Sequence, residues 1–149
     1  MSADEVVVDA SLALKWVERE PYSDEASQLL DNWQKERRRL TAPALFAYEA
    51  TNALGKRVKR GQLTAGVAKE RLALLLENGP ALEHDVALNL RALEIMQQFS
   101  LPSAYDAHYL ALAESRGCEC WTADERLWNT VKRELSWVRW IGEHTHERR

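Results

Sequence analysis

The sequence is poor in cysteine, has no long apolar run and carries no excess of positive charge. Its two cysteines, Cys118 and Cys120, are too few for a structural zinc site and too close for a comfortable disulfide, so we interpret them as reduced thiols of a cytoplasmic protein. His144 and His146 are interpreted as a solvated tail pair. No segment approaches the roughly 20 apolar residues that cross a membrane, and the acidic start Met-Ser-Ala-Asp-Glu does not have the pattern of a signal peptide.

Charge and length narrow the class of protein. The chain has 20 Lys and Arg against 23 Asp and Glu, which argues against binding nucleic acid through the overall field but leaves room for local basic patches. The 149 residues contain no repeat, low-complexity stretch or linker, and 46% of them are hydrophobic. We therefore expect a single domain, residues 1–149, with one core.

Strand and helix patterns alternate along the chain. Strands are predicted near residues 5–9, 40–43, 81–84, 119–122 and 137–141. Helices are predicted near residues 11–18, 23–37, 44–59, 64–77, 85–99, 103–116 and 124–132. This alternation predicts an α/β fold with a parallel sheet covered by helices on both faces, in which ligands bind beyond the carboxyl ends of the strands.

Four acids stand where an unpaired carboxylate is costly: Asp9, Glu49, Asp106 and Asp124. Asp9 ends an apolar strand, Glu49 interrupts an apolar helix face, and the other two open helices. The sequence offers no matching set of apolar-flanked Lys or Arg, so a shared divalent cation is a reasonable partner. Oxygen ligands without a His–Cys cluster suit Mg²⁺ or Mn²⁺, which activate water and neutralise charge at a phosphodiester.

Asp9 and Glu49, the two acids in the N-terminal third of the chain, also have purely structural interpretations. Asp9 could cap the following helix, although Ser11 is also a plausible N-cap. Glu49 could be a buried acid that is hydrogen-bonded to Asn52 or to a backbone group. Alternatively, Asn52 supports Glu49 as a ligand from the same helix face.

Asp106 and Asp124 are equally open to a structural interpretation. Ser103-x-x-Asp106 and Thr122-x-x-Glu125 both have the form of a capping box, and Asp124 is itself a good N-cap. Helix starts attract carboxylates without any metal. The metal hypothesis therefore depends on the four acids as a set, which a parallel fold would bring to one edge of its sheet.

Four segments of the chain match a known family. They are Val-Val-Asp9-Ala-Ser11, Glu49-Ala-Thr-Asn52-Ala-Leu, Tyr105-Asp106-Ala-x-Tyr-Leu-Ala-Leu-Ala and Trp-Thr122-Ala-Asp124-Glu-Arg-Leu. In this order and over this length, the chain resembles a PIN domain and, within that group, the toxin nucleases of VapBC-type toxin–antitoxin pairs. Residues 60–100 match only as a pattern of helices.

The resemblance implies a three-layer α/β/α sandwich with a mostly parallel sheet of about five strands, a Mg²⁺ or Mn²⁺ site at the C-terminal edge of that sheet, and an endoribonuclease activity. Asp9 and Asp106 would be the most direct metal ligands. Glu49 would bind through water or activate the attacking water, and Asp124 would complete the site or serve a second metal. Glu125 is a further acid whose participation stays open.

The resemblance also implies supporting residues and partners. Ser11 and Thr122 match supporting polar positions. The family usually forms homodimers and is held inactive by an antitoxin, commonly on helix faces of the N-terminal half. The basic runs at residues 35–39 and 56–60 lie near predicted helix C-termini, where cations complement the helix dipole. In a ribonuclease they would also contact phosphates, and Arg57, Lys59 and Arg60 are the candidates.

Two other classes of protein are alternatives. A catalytically idle PIN-like module could keep the acids as caps and buried acceptors while binding a protein. An aspartyl phosphotransfer domain fits less well. A phosphatase would need a second Asp where Ser11 stands, and a receiver domain would need paired acids at the end of the first strand, whereas Asp4 and Glu5 begin it.

Overall fold

A five-stranded parallel sheet forms the centre of the molecule. The computed structural model describes residues 4–143, and its strands lie in the order β3-β2-β1-β4-β5. They are β1 (Glu5–Val8), β2 (Arg39–Pro43), β3 (Ala81–Glu83), β4 (Glu119–Thr122) and β5 (Val138–Trp140). All four strand pairs are parallel. The predicted α/β fold with a parallel sheet is therefore confirmed.

Helices connect the strands and form the outer layers. They are α1 (Ala10–Ala13), α2 (Ser23–Lys35), α3 (Leu45–Lys59), α4 (Ala65–Asn78), α5 (Val86–Phe99), α6 (Tyr105–Arg116) and α7 (Glu125–Val131). The predicted first helix, residues 11–18, is instead the single turn α1 followed by a 3₁₀ turn at Leu14–Trp16. None of the helices within residues 4–143 has the length and apolar composition that a bilayer crossing requires. His144 and His146 lie outside the described residues.

The core lies between the sheet and the helix layers. The three valines of β1 are fully buried because the strand is central and covered on both faces. On α6, the run from Tyr109 to Ala113 is almost completely buried, which is unusual for a helix with one wet face. Trp33 of α2 packs edge to face on Trp121 of β4. Because Val8 of β1 pairs with Trp121 of β4, the carboxyl ends of the two strands lie next to each other.

Two predicted helix caps are wrong. The N-cap of α1 is Asp9, whose side chain accepts the Leu12 N–H, and not Ser11. The N-cap of α6 is Ala104, which makes no side-chain capping bond, so the capping box of Ser103 and Asp106 does not form. Asp106 therefore lies in the first turn of α6 without the capping role that the Ser103-x-x-Asp106 pattern suggested.

The strand order creates a crevice beside β1. The chain passes from β1 to β2 on one side and returns, after β3, to β4 on the other side. Right-handed crossovers that run in opposite directions place their helices on opposite faces of the sheet. The chain therefore leaves β1 and β4 toward opposite faces of the sheet, and a ligand site is expected between these two strand ends.

Candidate active site

The four predicted acids meet in one small cavity at this crevice. Its volume is about 60 Å³, enough for a few water-sized particles. It is lined by Asp9, Ala10, Ser11, Glu49, Asp106, Tyr109 and Asp124. Four different segments contribute these side chains: the end of β1, α3, α6 and the start of α7. The lining, all of it within the described residues, contains no Lys, Arg or His.

Asp9 is the most buried of the acids, with 4% of its surface exposed. Its Oδ1 accepts hydrogen bonds from the Ser11 hydroxyl (2.7 Å) and the Leu12 N–H (3.0 Å), and its Oδ2 accepts one from the Thr122 hydroxyl. Burial raises the pKa of Asp9 to about 7 even though these three donors lower it, and the charge of Asp106 adds to the rise. Asp9 is therefore both a helix cap and an acid that lacks a compensating cation.

Ser11 and Thr122 tie together the loops after β1 and β4. Besides donating to Asp9, the Ser11 hydroxyl accepts the Ala123 N–H (3.2 Å), and the Thr122 hydroxyl accepts the Asp124 N–H (2.9 Å). The two hydroxyls thus hold the Asp9 carboxylate from both sides and set its position relative to the α7 start. The structure therefore places both residues directly beside Asp9.

Asp124 caps α7. Its Oδ1 accepts the N–H groups of Arg126 (3.0 Å) and Leu127 (3.3 Å), so the predicted N-cap is confirmed and the capping box from Thr122 to Glu125 does not describe this turn. Asp124 also lines the cavity. Glu125, the possible additional acid, is exposed and is not part of the lining.

Glu49 is held by Tyr109, a residue that was not predicted as part of the site. The Tyr109 hydroxyl donates to Oε1 of Glu49 at 2.5 Å, and Tyr109 itself is 1% exposed. The alternative bond from Glu49 to Asn52 is absent from the hydrogen bonds of residues 4–143, and Asn52 is exposed and does not line the cavity. Tyr109 lies three residues after Asp106, on the same face of α6, and this spacing was the available sequence signal.

The pKa values of Glu49 and Tyr109 both respond to this contact. Burial raises the pKa of Glu49, whereas the Tyr109 hydrogen bond and the nearby His108 lower it. Burial, and then the Glu49 charge, raise the pKa of Tyr109, so its hydroxyl stays a donor. Glu49 is thus a half-buried carboxyl with one oxygen fixed by a neutral donor.

Asp106 has no structural explanation among the described residues, since no hydrogen bond there reaches its carboxylate. Burial, together with the charges of Asp124 and Glu49, raises the pKa of Asp106 to about 6. Uncompensated carboxylates that repel one another in a crevice are typical of a functional site.

The donor set fits a hard divalent cation. Every polar group of the lining is an oxygen, and no basic side chain offsets the acids. Among residues 4–143, however, no three His, Cys, Asp or Glu side chains are already grouped as ligands of one ion. The chemistry of the lining therefore matches Mg²⁺ or Mn²⁺, while a bound ion would have to draw the carboxylates closer.

The predicted RNA contacts lie farther away. Arg57 is ion-paired with Glu18 (3.5 Å) and Glu20. Lys59 and Arg60 are exposed at the end of α3. Lys59 comes ten residues after Glu49, which is about 15 Å along the helix axis. Of the three candidates, Lys59 and Arg60 are the exposed ones, and they are removed from the acids.

Fold and site together define a parallel α/β domain with an acidic, oxygen-lined cavity at the carboxyl edge of its sheet. The profile of the family described as PIN domain matches residues 6–133. A curated relative from Pyrobaculum aerophilum, named Exonuclease VapC9, is 35% identical over 97 residues, which is 65% of this chain and 71% of that protein. The crystal structure of PAE2754 from Pyrobaculum aerophilum has a TM-score of 0.65 and 29% identity, with 85% of both chains covered.

The chain therefore belongs to the PIN-domain family. The predicted α/β/α sandwich is confirmed by the sheet, the helix layers and the fold of the similar structure. Membership in this family and the name of the curated relative support a nuclease. The predicted resemblance to VapC toxins is confirmed in the same way.

Proposed function

We propose that this protein is a metal-dependent endoribonuclease, the toxin of a toxin–antitoxin pair, acting as a single domain in the cytoplasm. The observation that carries the proposal is the convergence of Asp9, Glu49, Asp106 and Asp124 on one cavity without a basic partner. Oxygen donors of this kind favour Mg²⁺ or Mn²⁺, and the phosphodiester backbone of RNA is the substrate that such a site suits.

Each acid has a distinct task in the proposed mechanism. Asp9 and Asp106 would hold the cation most directly, and Asp124 would complete the site from the α7 start. When bound, the cation supplies charge for the phosphate oxygens and a water of lowered pKa. Glu49 accepts the proton of the attacking water, since burial already raises its pKa and Tyr109 fixes its other oxygen.

The nucleophile is therefore water. Water attacks phosphorus, one P–O bond to ribose breaks, and the leaving oxygen takes a proton from solvent. Because the 2′-hydroxyl is not used, the products carry no 2′,3′-cyclic phosphate. Asn52 is exposed outside the cavity, so any support it gives to Glu49 would act from solvent. Lys59 and Arg60 would contact the RNA several nucleotides away, while Arg57 is engaged by Glu18 and Glu20.

An apolar groove on the surface supports the proposal that an antitoxin binds this protein. It lies between the 3₁₀ turn, α2 and α4, has a volume of about 180 Å³, and is lined by Trp16, Val17, Leu30, Leu74, Leu75, Asn78 and Gly79. Grooves of this kind accept the apolar face of a partner helix. The name of the VapC9 relative is consistent with a partner of the VapB type.

An exposed apolar row on α5 supports a homodimer. Val86, Leu90 and Leu93 are 64%, 60% and 51% exposed and follow one another at helical spacing. A contiguous apolar row on a helix surface is typical of a contact between protein copies.

The test of the proposed activity compares circular and linear single-stranded RNA of the same sequence. The purified protein, free of antitoxin, is incubated with each RNA in Mg²⁺, in Mn²⁺ or in EDTA. We expect metal-dependent cutting of the circle and no cyclic phosphate ends. Cutting of linear RNA alone would show an exonuclease, the activity in the name of the relative. Cutting in EDTA that leaves cyclic ends would identify a contaminating ribonuclease.

Asp9→Asn is the matched inactive variant, and its stability serves as the control. The pKa of Asp9 is raised from 3.8 in the unfolded chain to about 7 in the fold, so the stability it contributes is complete below about pH 4 and is lost as the pH rises through 7. Asn does not titrate. In EDTA, we expect wild-type stability to fall between pH 5 and pH 8 by about 1–3 kcal/mol more than that of Asp9→Asn.

Urea denaturation at the two pH values measures this difference. If Asp9→Asn loses cleavage while its unfolding free energy depends less on pH than that of the wild type, the variant is folded and has lost its catalytic activity. Equal pH dependence of the two proteins would contradict the burial of an uncompensated Asp9 carboxylate.

A catalytically idle binding module is the second candidate, because Asp9 and Asp124 also cap helices and would be retained for that reason. If neither the circular nor the linear RNA is cut in either metal, while a partner helix binds the groove of Trp16 and Leu74, this candidate replaces the nuclease.

A further inference from the structure

A second and larger cavity opens beside the acidic site. It has a volume of about 550 Å³, within the range of ligand pockets. It is lined by Pro43, Ala44, Leu45, Tyr48, Glu83, His84, Asp85, Leu88, Asn89, Tyr105 and His108. Tyr48 directly precedes Glu49 on α3, and Tyr105 directly precedes Asp106 on α6. The same two helices therefore line both cavities, which we call the acidic cavity and the tyrosine cavity.

The two tyrosines are unusually exposed for aromatic residues. Tyr48 is 71% and Tyr105 is 60% exposed. Their rings therefore do not contribute to the core, although both helices that carry them pack well elsewhere. Exposed aromatic rings at a cleft are platforms on which unpaired bases stack.

The charges of the tyrosine cavity disfavour a phosphate group. Its lining includes Glu83 and Asp85 and no Lys or Arg. Glu83 is paired with Arg116 at 3.0 Å, and Asp85 caps α5 through the Ala87 N–H, so both carboxylates have structural partners. Pro43, Leu45 and Leu88 add apolar side chains to the wall. A flat, neutral, partly apolar group suits this wall better than an anion.

A polar pair in the lining offers hydrogen bonds to the edge of such a group. His108 Nδ1 lies 2.6 Å from the Ala104 carbonyl oxygen, which can only accept, so Nδ1 carries the proton. His108 Nε2 then accepts from the Asn89 amide at 3.0 Å. This leaves Asn89 one N–H donor and its carbonyl acceptor, and every base presents a neighbouring donor and acceptor on its pairing edge.

We propose that the tyrosine cavity binds one unpaired base of the RNA strand next to the phosphate held at the acidic cavity. Tyr48 and Tyr105 stack on the base, and Asn89, oriented by His108, contacts its edge. The proposal rests on the nuclease function for its ligand, and it makes single-stranded RNA, instead of duplex, the substrate class. It also assigns base preference to α3, α5 and α6.

Binding of uncut RNA tests the cavity without relying on catalysis. The probes are 5′-fluorescein single-stranded RNA decamers of adenine, cytosine or uracil, and the protein carries Asp9→Asn so that the RNA stays intact. In fluorescence anisotropy, Tyr48→Ala and Tyr105→Ala should each weaken binding about 10-fold, within the range measured for loss of one base stack. Tyr48→Phe and Tyr105→Phe keep the ring and should bind within about twofold of the parent.

Two controls make the result specific. Leu76→Ala removes an exposed side chain on α4 that lines neither the tyrosine cavity nor the groove of Trp16 and Leu74, and it should leave RNA affinity unchanged. Asn89→Ala should narrow the difference in affinity among the three decamers. Tyrosine variants that bind all decamers like the parent would overturn the proposal, and so would a parent that binds none.

A separate assay measures cleavage of the circular RNA by the wild type and by the same tyrosine variants, all of which keep Asp9. Wild-type cleavage together with unchanged binding by the alanine variants overturns the tyrosine cavity and leaves the nuclease intact. Tyrosine-dependent binding without any wild-type cleavage keeps the base site and overturns the nuclease. If the alanine variants change the dimer equilibrium in sedimentation and leave RNA affinity unchanged, the cavity is a protein contact and the base proposal is wrong.

Discussion

The buried hydroxyl of Tyr109 lowers the pKa of a neighbouring acid, Glu49. It donates to Glu49 from a different helix, and the two residues are 60 positions apart. This bond lowers the pKa of Glu49 against the rise that burial causes. Tyr109 is therefore a positioning residue, which acts on the proposed proton acceptor and not on RNA.

Tyr109→Phe removes that bond while keeping the ring. We expect kcat to fall by about 10-fold and the acid limb of the pH–rate profile to move to higher pH, because the pKa of Glu49 rises when its donor is lost. Steady-state cleavage from pH 5 to pH 9 measures both effects. Tyr22→Phe, at an exposed tyrosine that lines neither cavity, is the control and should keep the wild-type profile. A lower kcat with an unshifted profile would show that Tyr109 acts only through packing.

Sequence reasoning located the acids better than their partners. Asp9, Glu49, Asp106 and Asp124 could be found because each ends or interrupts an apolar segment or opens a helix, and parallel topology brings strand ends to one edge. The bond between Tyr109 and Glu49 could not be predicted from the sequence, since it depends on how α3 and α6 approach each other. Local patterns also misassigned the caps, because the choice between Asp9 and Ser11 depends on the backbone turn and not on residue type.

At the scale of elements, two glycines in helical surroundings have opposite roles. Gly117 follows α6 with φ of 60°, and its successor Cys118 donates back to Ala113 at 3.1 Å, which closes the helix end. Gly55 lies inside α3 with ordinary helical backbone. An added Cβ meets nothing within 4 Å at either position, so conformational preference alone decides the outcome.

Substitution of each glycine by alanine should therefore change stability in opposite directions. Gly117→Ala should lower the free energy of unfolding by about 1 kcal/mol, because left-handed backbone disfavours a Cβ. Gly55→Ala should raise it by about 0.5–1 kcal/mol, because glycine is a poor helix former. Urea denaturation measures both. A stabilised Gly117→Ala protein would mean that the end of α6 has a different backbone conformation.

The order of elements was accessible from the sequence for a physical reason. Gly117 and the caps Thr64 and Asp85 are local signals that require no knowledge of the rest of the fold, and they stand at ends of the helices predicted near residues 64–77, 85–99 and 103–116. The 3₁₀ turn at Leu14–Trp16 after α1 was not predicted from the sequence, because it depends on contacts with α2. One of these contacts is the bond from the Trp16 indole N–H to the Ala26 carbonyl at 2.9 Å.

At the scale of the whole molecule, the apolar row of α5 is the clearest unpartnered feature of the described residues besides the groove lined by Trp16 and Leu74. It faces away from the core, which α5 contacts through Ala92 and Ile95. In a twofold dimer every residue of the row appears twice in one interface, so a single change is doubled. A charge placed at its centre would face its own copy across the symmetry axis.

Leu90→Glu should therefore convert the proposed dimer into a monomer. Sedimentation equilibrium at micromolar concentrations, without antitoxin or RNA, measures the change. Because Leu90 is 60% exposed in the isolated chain, the substitution should alter the unfolding free energy of the monomer by no more than about 0.5 kcal/mol. Leu74→Glu, at a similarly exposed leucine on α4, is the matched control and should remain dimeric. If both variants and the wild type sediment as monomers, the row serves another partner. If Leu90→Glu stays dimeric while the wild type is a dimer, the copies meet elsewhere on the surface.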